Sequence, residues 1–160
     1  MAEPVQTPVS GTPFARTRRV MTPGTDPALL LHVFDGHPRG FWGRGDRWVA
    51  WGGALGEVTV PESDPDRFAR VREAAARLLG TEGAPLADGT PRLFGGFSFL
   101  ERPEPNGSWA AFPPARFVLP GAMVFGGPEG CTLVVQRFAG GDAEAEAEAD
   151  RLVVALRDAG

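Results

Sequence analysis

The sequence contains few side chains of the kinds that act as nucleophiles, general bases or metal ligands, and their spacing matches no common catalytic or metal site. His32 and His37 are the only histidines, and no cysteine or carboxylate cluster surrounds them at zinc-ligand spacing. The single cysteine, Cys131, opens an apolar segment, which favours a structural thiol over a nucleophile. All 16 basic residues are arginine, so a lysine base is excluded for these residues acting alone. The sequence therefore predicts no catalytic residue and no metal ligand.

Gly95 and Gly96 interrupt an apolar segment at residues 92–99 that also contains Phe97 and Phe99. Glycine inside a strand removes side chains where the backbone could approach a ligand or a neighbouring element closely. A β-bulge explains the same pair equally well. Both interpretations remain open from the sequence.

The other polar and aromatic clusters have structural interpretations. Acidic residues alternate with alanine at residues 142–150, and on a helix this spacing scatters them around the axis. A solvated helix start is therefore expected instead of a calcium site. Arg16, Arg18 and Arg19 are expected on the solvent side of a strand. The tryptophans are expected to pack in a core or interface.

Length and charge limit the class of protein. With 160 residues, 42% of them hydrophobic, the sequence predicts one domain over residues 14–160 after a flexible lead-in at residues 1–13. The net charge of -4 provides no positive field for nucleic acid. One cysteine, a polar start and no apolar run approaching about 18 residues predict a cytoplasmic protein that makes no membrane contact.

Hydrophobic periodicity predicts strands and helices in a mixed order. The predicted elements are a strand at 14–21, a helix at 27–34, an antiparallel meander at 40–60, a helix at 64–79, strands at 92–100, 115–125 and 131–138, and a helix from 141. Adjacent strands can pair through short hairpins instead of crossovers. The expected fold class is α+β, with a mainly antiparallel sheet and two to three packed helices.

Local signals predict where the first elements begin and end. Asp26 can cap the first helix, Pro27 suits its first turn, and Gly36 is expected to end it. Gly45 and Asp46 supply a tight turn in the meander.

The helix at residues 64–79 has the clearest amphipathic pattern. Ser63 or Asp64 can cap it, and Gly80 can end it. Its predicted apolar face consists of Phe68, Val71, Ala75, Leu78 and Leu79.

Several aromatic and glycine-containing segments follow one another in a characteristic order. They are Gly40-Phe41-Trp42-Gly43-Arg44, Ala54-Leu55-Gly56, the helix at 64–79, the Gly-Gly-x-x-Phe strand at 92–99, Trp109, Phe112, and Arg116-Phe117-Val118-Leu119-Pro120. This order resembles the N-terminal half of isochorismate synthases, which are chorismate-using enzymes of menaquinone or siderophore biosynthesis. The resemblance implies a scaffold half in which Gly95, Gly96, Phe97 and Phe99 lie near a ligand or near the junction with the other half.

The resemblance also implies a magnesium-dependent conversion of chorismate to isochorismate. Water adds to the ring with a lysine as general base, and a hydroxyl departs with a glutamate as general acid. In the family these groups belong to the C-terminal chorismate-binding half. Because the chain reaches Gly160 without a lysine, we expect that half as its partner and no activity from these residues alone.

Two alternatives remain open at the level of sequence. One is a stand-alone small-molecule-binding or regulatory module derived from the same family. The other is the N-terminal half of an anthranilate or aminodeoxychorismate synthase. Such halves often carry a tryptophan-binding motif near the first strand, and residues 15–21 contain no such motif, which favours the isochorismate branch.

Overall fold

A computed structural model describes the chain at residues 14–21, 26–60, 64–79, 91–99, 107–108, 110–138 and 141–158. In chain order its elements are β1 (Phe14–Met21), α1 (Pro27–Val33), β2 (Arg39–Arg44), β3 (Arg47–Gly52), β4 (Gly56–Val60), α2 (Arg67–Leu79), β5 (Phe94–Phe97), β6 (Ala115–Leu119), β7 (Ala122–Gly127), β8 (Gly130–Phe138) and α3 (Asp142–Asp158). Within these ranges no helix combines the length and the apolar character that crossing a bilayer requires. The predicted lead-in at residues 1–13 lies outside the described residues.

The strands form two antiparallel sheets, and the chain divides into two compact units. The five-stranded unit has the strand order β1-β8-β7-β3-β2 and contains α1 and α3. The three-stranded unit has the order β4-β6-β5 and contains α2. The predicted α+β class with antiparallel pairing is therefore confirmed.

One face of the five-stranded sheet packs against α1 and α3. Side chains at alternate strand positions point to this face. Together with residues from the two helices they form one buried cluster: Met21, Leu30, Ala50, Ala122, Val124, Cys131, Leu133, Val135, Ala145, Ala149, Leu152 and Leu156. Burying a large aliphatic side chain contributes about 1.5–3 kcal/mol, so this cluster is the main apolar core of the unit.

Two of the predicted local signals are confirmed in the five-stranded unit. The Asp26 carboxylate accepts a hydrogen bond from the Ala28 amide at 2.8 Å, and Pro27 occupies the first turn of α1. Gly45 has a φ of +62°, as required at the first central position of the two-residue turn that it forms with Asp46.

The predicted end of α1 at Gly36 is wrong. The helix ends at Val33, and Phe34 is its C-terminal cap. The next amide, that of Asp35, bonds to the His32 carbonyl at 3.0 Å, which tightens the chain into a turn. Gly36, at a φ of +78°, lies within that turn and not at the cap.

Two tryptophan rings of β3 cover glycines on its two neighbouring strands, β2 and β7. A Cβ on Gly40 would lie 2.7 Å from the ring of Trp51, its cross-strand partner. A Cβ on Gly126 of β7 would lie 2.0 Å from the ring of Trp48, its partner on β3. These two rings therefore occupy the space that the glycines leave, a form of cross-strand packing.

The start of α2 agrees with the prediction that Asp64 caps it. The Asp64 carboxylate accepts a hydrogen bond from the Asp66 amide at 2.8 Å, immediately before α2 begins. The other predicted boundary residues, Ser63 and Gly80, lie outside the described residues.

The apolar face of α2 is only partly as predicted. Val71 and Leu78 are buried, and a Cβ on Gly56 of β4 would lie 3.0 Å from a Leu78 methyl carbon. Phe68, however, is 56% exposed, so its predicted place in the buried face is wrong. Its ring instead contacts that of Phe97, with the two ring planes tilted by 42°.

Two strand predictions are wrong. Alternation identifies a strand but not its partner, and a proline can divide an apolar run into two strands. The predicted meander at residues 40–60 stops after β3, since β4 pairs with β6 in the other unit. The single strand predicted at residues 115–125 is two strands, β6 and β7. Pro120 separates them, because it has no amide proton to donate to a neighbouring strand. Its carbonyl accepts a hydrogen bond from the Gln136 side-chain amide at 2.7 Å.

Candidate functional site

The double glycine lies on β5, an edge strand of the three-stranded sheet that pairs with β6. Gly95 stands opposite Phe117. A Cβ on Gly95 would lie 1.9 Å from the Arg116 carbonyl oxygen and 2.6 Å from the Phe117 Cα. Because this space is filled by backbone, only glycine fits, and Gly95 serves the close approach of β5 to β6.

Gly96 has a different environment from its neighbour. It stands opposite Arg116, and no heavy atom of the described residues lies within 4 Å of its Cβ position. Strand pairing therefore explains Gly95 but does not require a glycine at Gly96. The open position is one where a ligand or another backbone can approach.

Phe97 ends β5 and joins a cluster of aromatic rings. Its ring centre lies 4.5 Å from that of Phe68 and 5.1 Å from that of Phe117, the second pair meeting edge to face. The Arg67 guanidinium carbon lies 4.7 Å from the centre of the Phe68 ring, a cation–π distance. The predicted site residue Phe97 thus belongs to a half-open aromatic surface.

Phe99 is not brought together with the other three predicted site residues. Its side chain is fully exposed and makes no ring contact with the described part of the chain. The preceding Ser98 amide bonds to the Pro114 carbonyl at 3.0 Å, which extends the strand pairing past Phe97. Trp109, another residue of the resemblance, lies outside the described residues.

A polar cluster that the sequence did not indicate lies beside Gly96. Arg116 stands between Gly96 and Thr59 in the sheet, so the side chains of Arg116 and Thr59 share a face with the open position. The Arg116 guanidinium donates to both carboxylate oxygens of Glu57, at 2.8 and 3.2 Å, and the Thr59 hydroxyl donates to the first at 2.8 Å. Glu57 and Arg116 are 59 residues apart in sequence, so no local pattern indicated their pairing.

The charge state of this cluster limits its chemistry. Partial burial raises the pKa of the Glu57 carboxyl, but the hydrogen bonds from Arg116 and Thr59 outweigh it, so the pKa lies below its usual value. Glu57 is therefore ionised at neutral pH and unsuited to donate a proton as a general acid. The arrangement fixes the Arg116 guanidinium on the sheet face.

A second ionic network lies in the five-stranded unit and corrects two predictions. Arg19 donates to the carboxylates of Glu146 and Asp150 on α3, and Thr17 donates to Glu146 at 2.7 Å. Arg19 thus faces the helix instead of solvent. Glu146 and Asp150 share a helix face because they are four residues apart, whereas the prediction considered only the spacing of two.

Hydrogen bonds from arginine lower the pKa of two carboxylates in the five-stranded unit, Glu146 and Asp35. The bonds from Arg19 and Thr17 hold the pKa of Glu146 below its usual value. Arg39 likewise lowers the pKa of Asp35, to which it donates at 2.6 Å. These carboxylates are paired with arginine and remain ionised at neutral pH.

The Mg²⁺ that the resemblance implies finds no fitting ligand set in the described ranges. No group of three or more His, Cys, Asp or Glu side chains there could hold a metal ion. The carboxylates of Asp35, Glu57, Glu146, Glu148 and Asp150 each accept hydrogen bonds from an arginine instead. A hard divalent cation prefers clustered oxygen ligands that are free of such partners.

Comparison with known proteins identifies the family. The protein-family model described as chorismate binding enzyme matches residues 14–159, nearly the whole chain. No curated protein matches the chain. The matched region includes every described helix and strand and all of the predicted site residues. The chain therefore belongs to the family of chorismate binding enzymes.

Proposed function

We propose that the chain is the scaffold portion of an isochorismate synthase, converting chorismate to isochorismate together with a chorismate-binding half. The family match over residues 14–159 carries this proposal, because it ties the whole region to chorismate. The order of the aromatic and glycine-containing segments supports the isochorismate branch. Isochorismate would serve menaquinone or siderophore biosynthesis.

In this proposal the catalytic groups belong to the partner half, because the chain itself lacks the residues for those roles. The 160 residues include no lysine, so the general base of the hydration step comes from the partner half. Glu57, a carboxylate near the candidate site, is ionised and accepts a hydrogen bond from Arg116, which fits a structural role. The Mg²⁺ would also be held by the partner half, where it would neutralise the substrate carboxylate.

The candidate residues of β5 have a positional role in this proposal. Gly95 sets the approach of β5 to β6, and Gly96 leaves room beside the Arg116 guanidinium. Phe97 presents a partly exposed ring on the opposite face of β5. We infer that β5, with Gly96 and Phe97 on its opposite faces, lies near the junction with the chorismate-binding half.

The test is an isochorismate assay with Mg²⁺ on three samples: the chain alone, the lysine-bearing chorismate-binding half from the same source, and the two together. We expect no turnover from the chain alone and a higher rate from the mixture than from the half. A half whose base lysine is replaced by alanine is the control, and its mixture must be inactive. Turnover by the chain alone, or no effect of adding it, would contradict the proposal.

Product analysis separates the alternatives within the family. Running the mixture with added ammonia and finding anthranilate or aminodeoxychorismate would assign the chain to an amine-transferring branch. A stable chain that binds chorismate or a related acid but never changes the rate of any chorismate-binding half would indicate a stand-alone binding module.

A further inference from the structure

The two edge strands of the five-stranded sheet differ in how they are protected. Edge strands expose unpaired backbone groups, and proteins usually block them with charged side chains. The middle of β1 carries Arg18 and Arg19, and Arg19 is held by carboxylates of α3. The middle of β2 is the uncharged segment Gly40-Phe41-Trp42-Gly43. Among the described residues no strand pairs with the outer edge of β2.

The register of the hairpin shows which backbone groups of β2 point outward. The Gly53 amide donates to the Pro38 carbonyl at 2.9 Å, and this pair continues the β2–β3 register. Hydrogen-bonded pairs alternate along an antiparallel ladder. The even-numbered residues of β2 therefore bond to β3, and the amides of Phe41 and Gly43 point to the free edge.

The exposed aromatic side chains of β2 lie on both faces of the sheet. Phe41 shares the face of its partner Ala50, which belongs to the core against α1 and α3. Trp42 shares the opposite face with Val49. Phe41 is 51% exposed and Trp42 is 59% exposed. An element packed on one face would cover only one of them, whereas a strand added alongside β2 would cover both.

The charges at the end of β2 indicate what kind of strand fits. Arg44 and Arg47 are direct cross-strand partners, both exposed, and neither forms an ion pair within the described ranges. Only the Asp46 carboxylate lies between them in the turn. At the other end, the charge of Arg39 is matched by Asp35. A net positive charge thus remains next to Arg44, where an incoming carboxylate would be favoured.

A second copy of this chain is a poor occupant of the same edge. β2 carries two arginines and no carboxylate. Pairing with another β2 would therefore bring no acidic strand residue opposite Arg44, and it would add positive charge to an edge that is already positive.

We propose that the outer edge of β2 binds an extended, acidic strand of the chorismate-binding half. The strand bonds to the outward backbone groups of Phe41 and Gly43, covers the rings of Phe41 and Trp42, and sets a carboxylate against Arg44. This mode of binding is β-strand addition, in which main-chain hydrogen bonds provide affinity and side chains provide selectivity. It rests on the proposed function, which supplies the partner half.

Amide hydrogen exchange of the full chain, free and mixed with the lysine-bearing half, tests the proposal. We expect the amides of Phe41 and Gly43 to exchange fast in the free chain and to gain about tenfold or more protection in the complex. The amides of Gly40, Trp42 and Arg44 already bond to β3 and should be protected in both states. This odd–even contrast would not result from a partner that merely covers one face.

Matched variants test the same edge by affinity for the half. Gly43→Pro removes the outward amide and should weaken binding by about tenfold or more. Gly43→Ala keeps the amide but sets a Cβ 3.1 Å from the Phe41 ring, so it should weaken binding less than proline does. Arg44→Glu should weaken binding by a similar factor. Arg72→Glu, the same charge change on the exposed Arg72 of α2, should not.

The outcomes separate this inference from the proposed function. If the half binds and raises turnover while the Phe41 and Gly43 amides stay unprotected, the inference is wrong and the proposed function stands. If the half does not bind at all, both are wrong. If the chain alone forms a dimer that Gly43→Pro abolishes, a second copy occupies the edge and the inference is overturned.

Discussion

The two units differ in what they enclose. In the five-stranded unit, Leu133 and Leu152 are buried between one face of the sheet and two helices. In the three-stranded unit, the rings of Phe68, Phe97 and Phe117 contact one another, yet more than half of Phe68 is exposed. The contrast indicates that the five-stranded unit contains the larger apolar cluster, and that the candidate site on β5 lies beside partly exposed rings.

The largest effect is expected from truncation in the enclosed unit. Leu133→Ala should lower the free energy of unfolding by about 2–5 kcal/mol, because it removes buried methyl groups and leaves a cavity. Denaturant unfolding measures this, and Val154→Ala at an exposed position of α3 is the control. A loss below about 1 kcal/mol would mean that this core is not closely packed and would remove the contrast between the units.

The next effect compares the two glycines of β5. Gly95→Ala should destabilise the chain by about 1–3 kcal/mol, because its Cβ meets backbone atoms of β6. Gly96→Ala should change stability by less than about 0.5 kcal/mol, because its Cβ position is open. Thermal and denaturant unfolding of both variants checks this. Equal losses would refute the assignment of separate roles to Gly95 and Gly96.

A smaller effect is expected from the open aromatic cluster. Phe68→Ala should cost about 0.5–1.5 kcal/mol, the value of an aromatic pair contact, because most of the ring is already in water. The same unfolding experiment measures it. A loss as large as that of Leu133→Ala would show that the three-stranded unit is enclosed like its neighbour in sequence.

The smallest expected effect is the pH dependence of the stability that Glu146 contributes to the five-stranded unit. Because the folded-state pKa of Glu146 is lowered, its stabilising contribution is complete above the ordinary glutamate pKa of about 4.3 and is lost as pH falls through the lower folded value. Glu146→Gln should therefore be slightly less stable than the unmodified chain at pH 7. The difference should vanish in strong acid, as unfolding curves at several pH values would show. A difference independent of pH would contradict the Arg19 pairing.

The sequence predicted what depends on neighbouring residues. The cap at Asp26, the turn at Gly45 and the hairpin between β7 and β8 follow from local chemistry that a few residues contain. The separation of β4 and β6 into a second sheet could not be predicted, because alternating apolar residues are the same in either sheet.

The candidate site shows the same limit. Gly95 and Gly96 are the same residue type in the same strand. Only Gly95 must be a glycine, because the backbone of β6 occupies the position of its Cβ. The Glu57–Arg116 pair joins residues 59 positions apart, and the Arg19–Glu146 pair joins residues 127 positions apart. Such pairs depend on strand register and helix placement, which no local pattern specifies.

The tryptophans of the β2–β3 hairpin give the chain an optical reporter in a useful place. The sequence has no tyrosine, so its near-ultraviolet absorbance and emission arise almost wholly from tryptophan. Trp48 and Trp51 lie over glycines, whereas Trp42 is largely in water on the edge strand. Among these three tryptophans, Trp42 should therefore show the largest shift in emission wavelength when another molecule covers the edge strand.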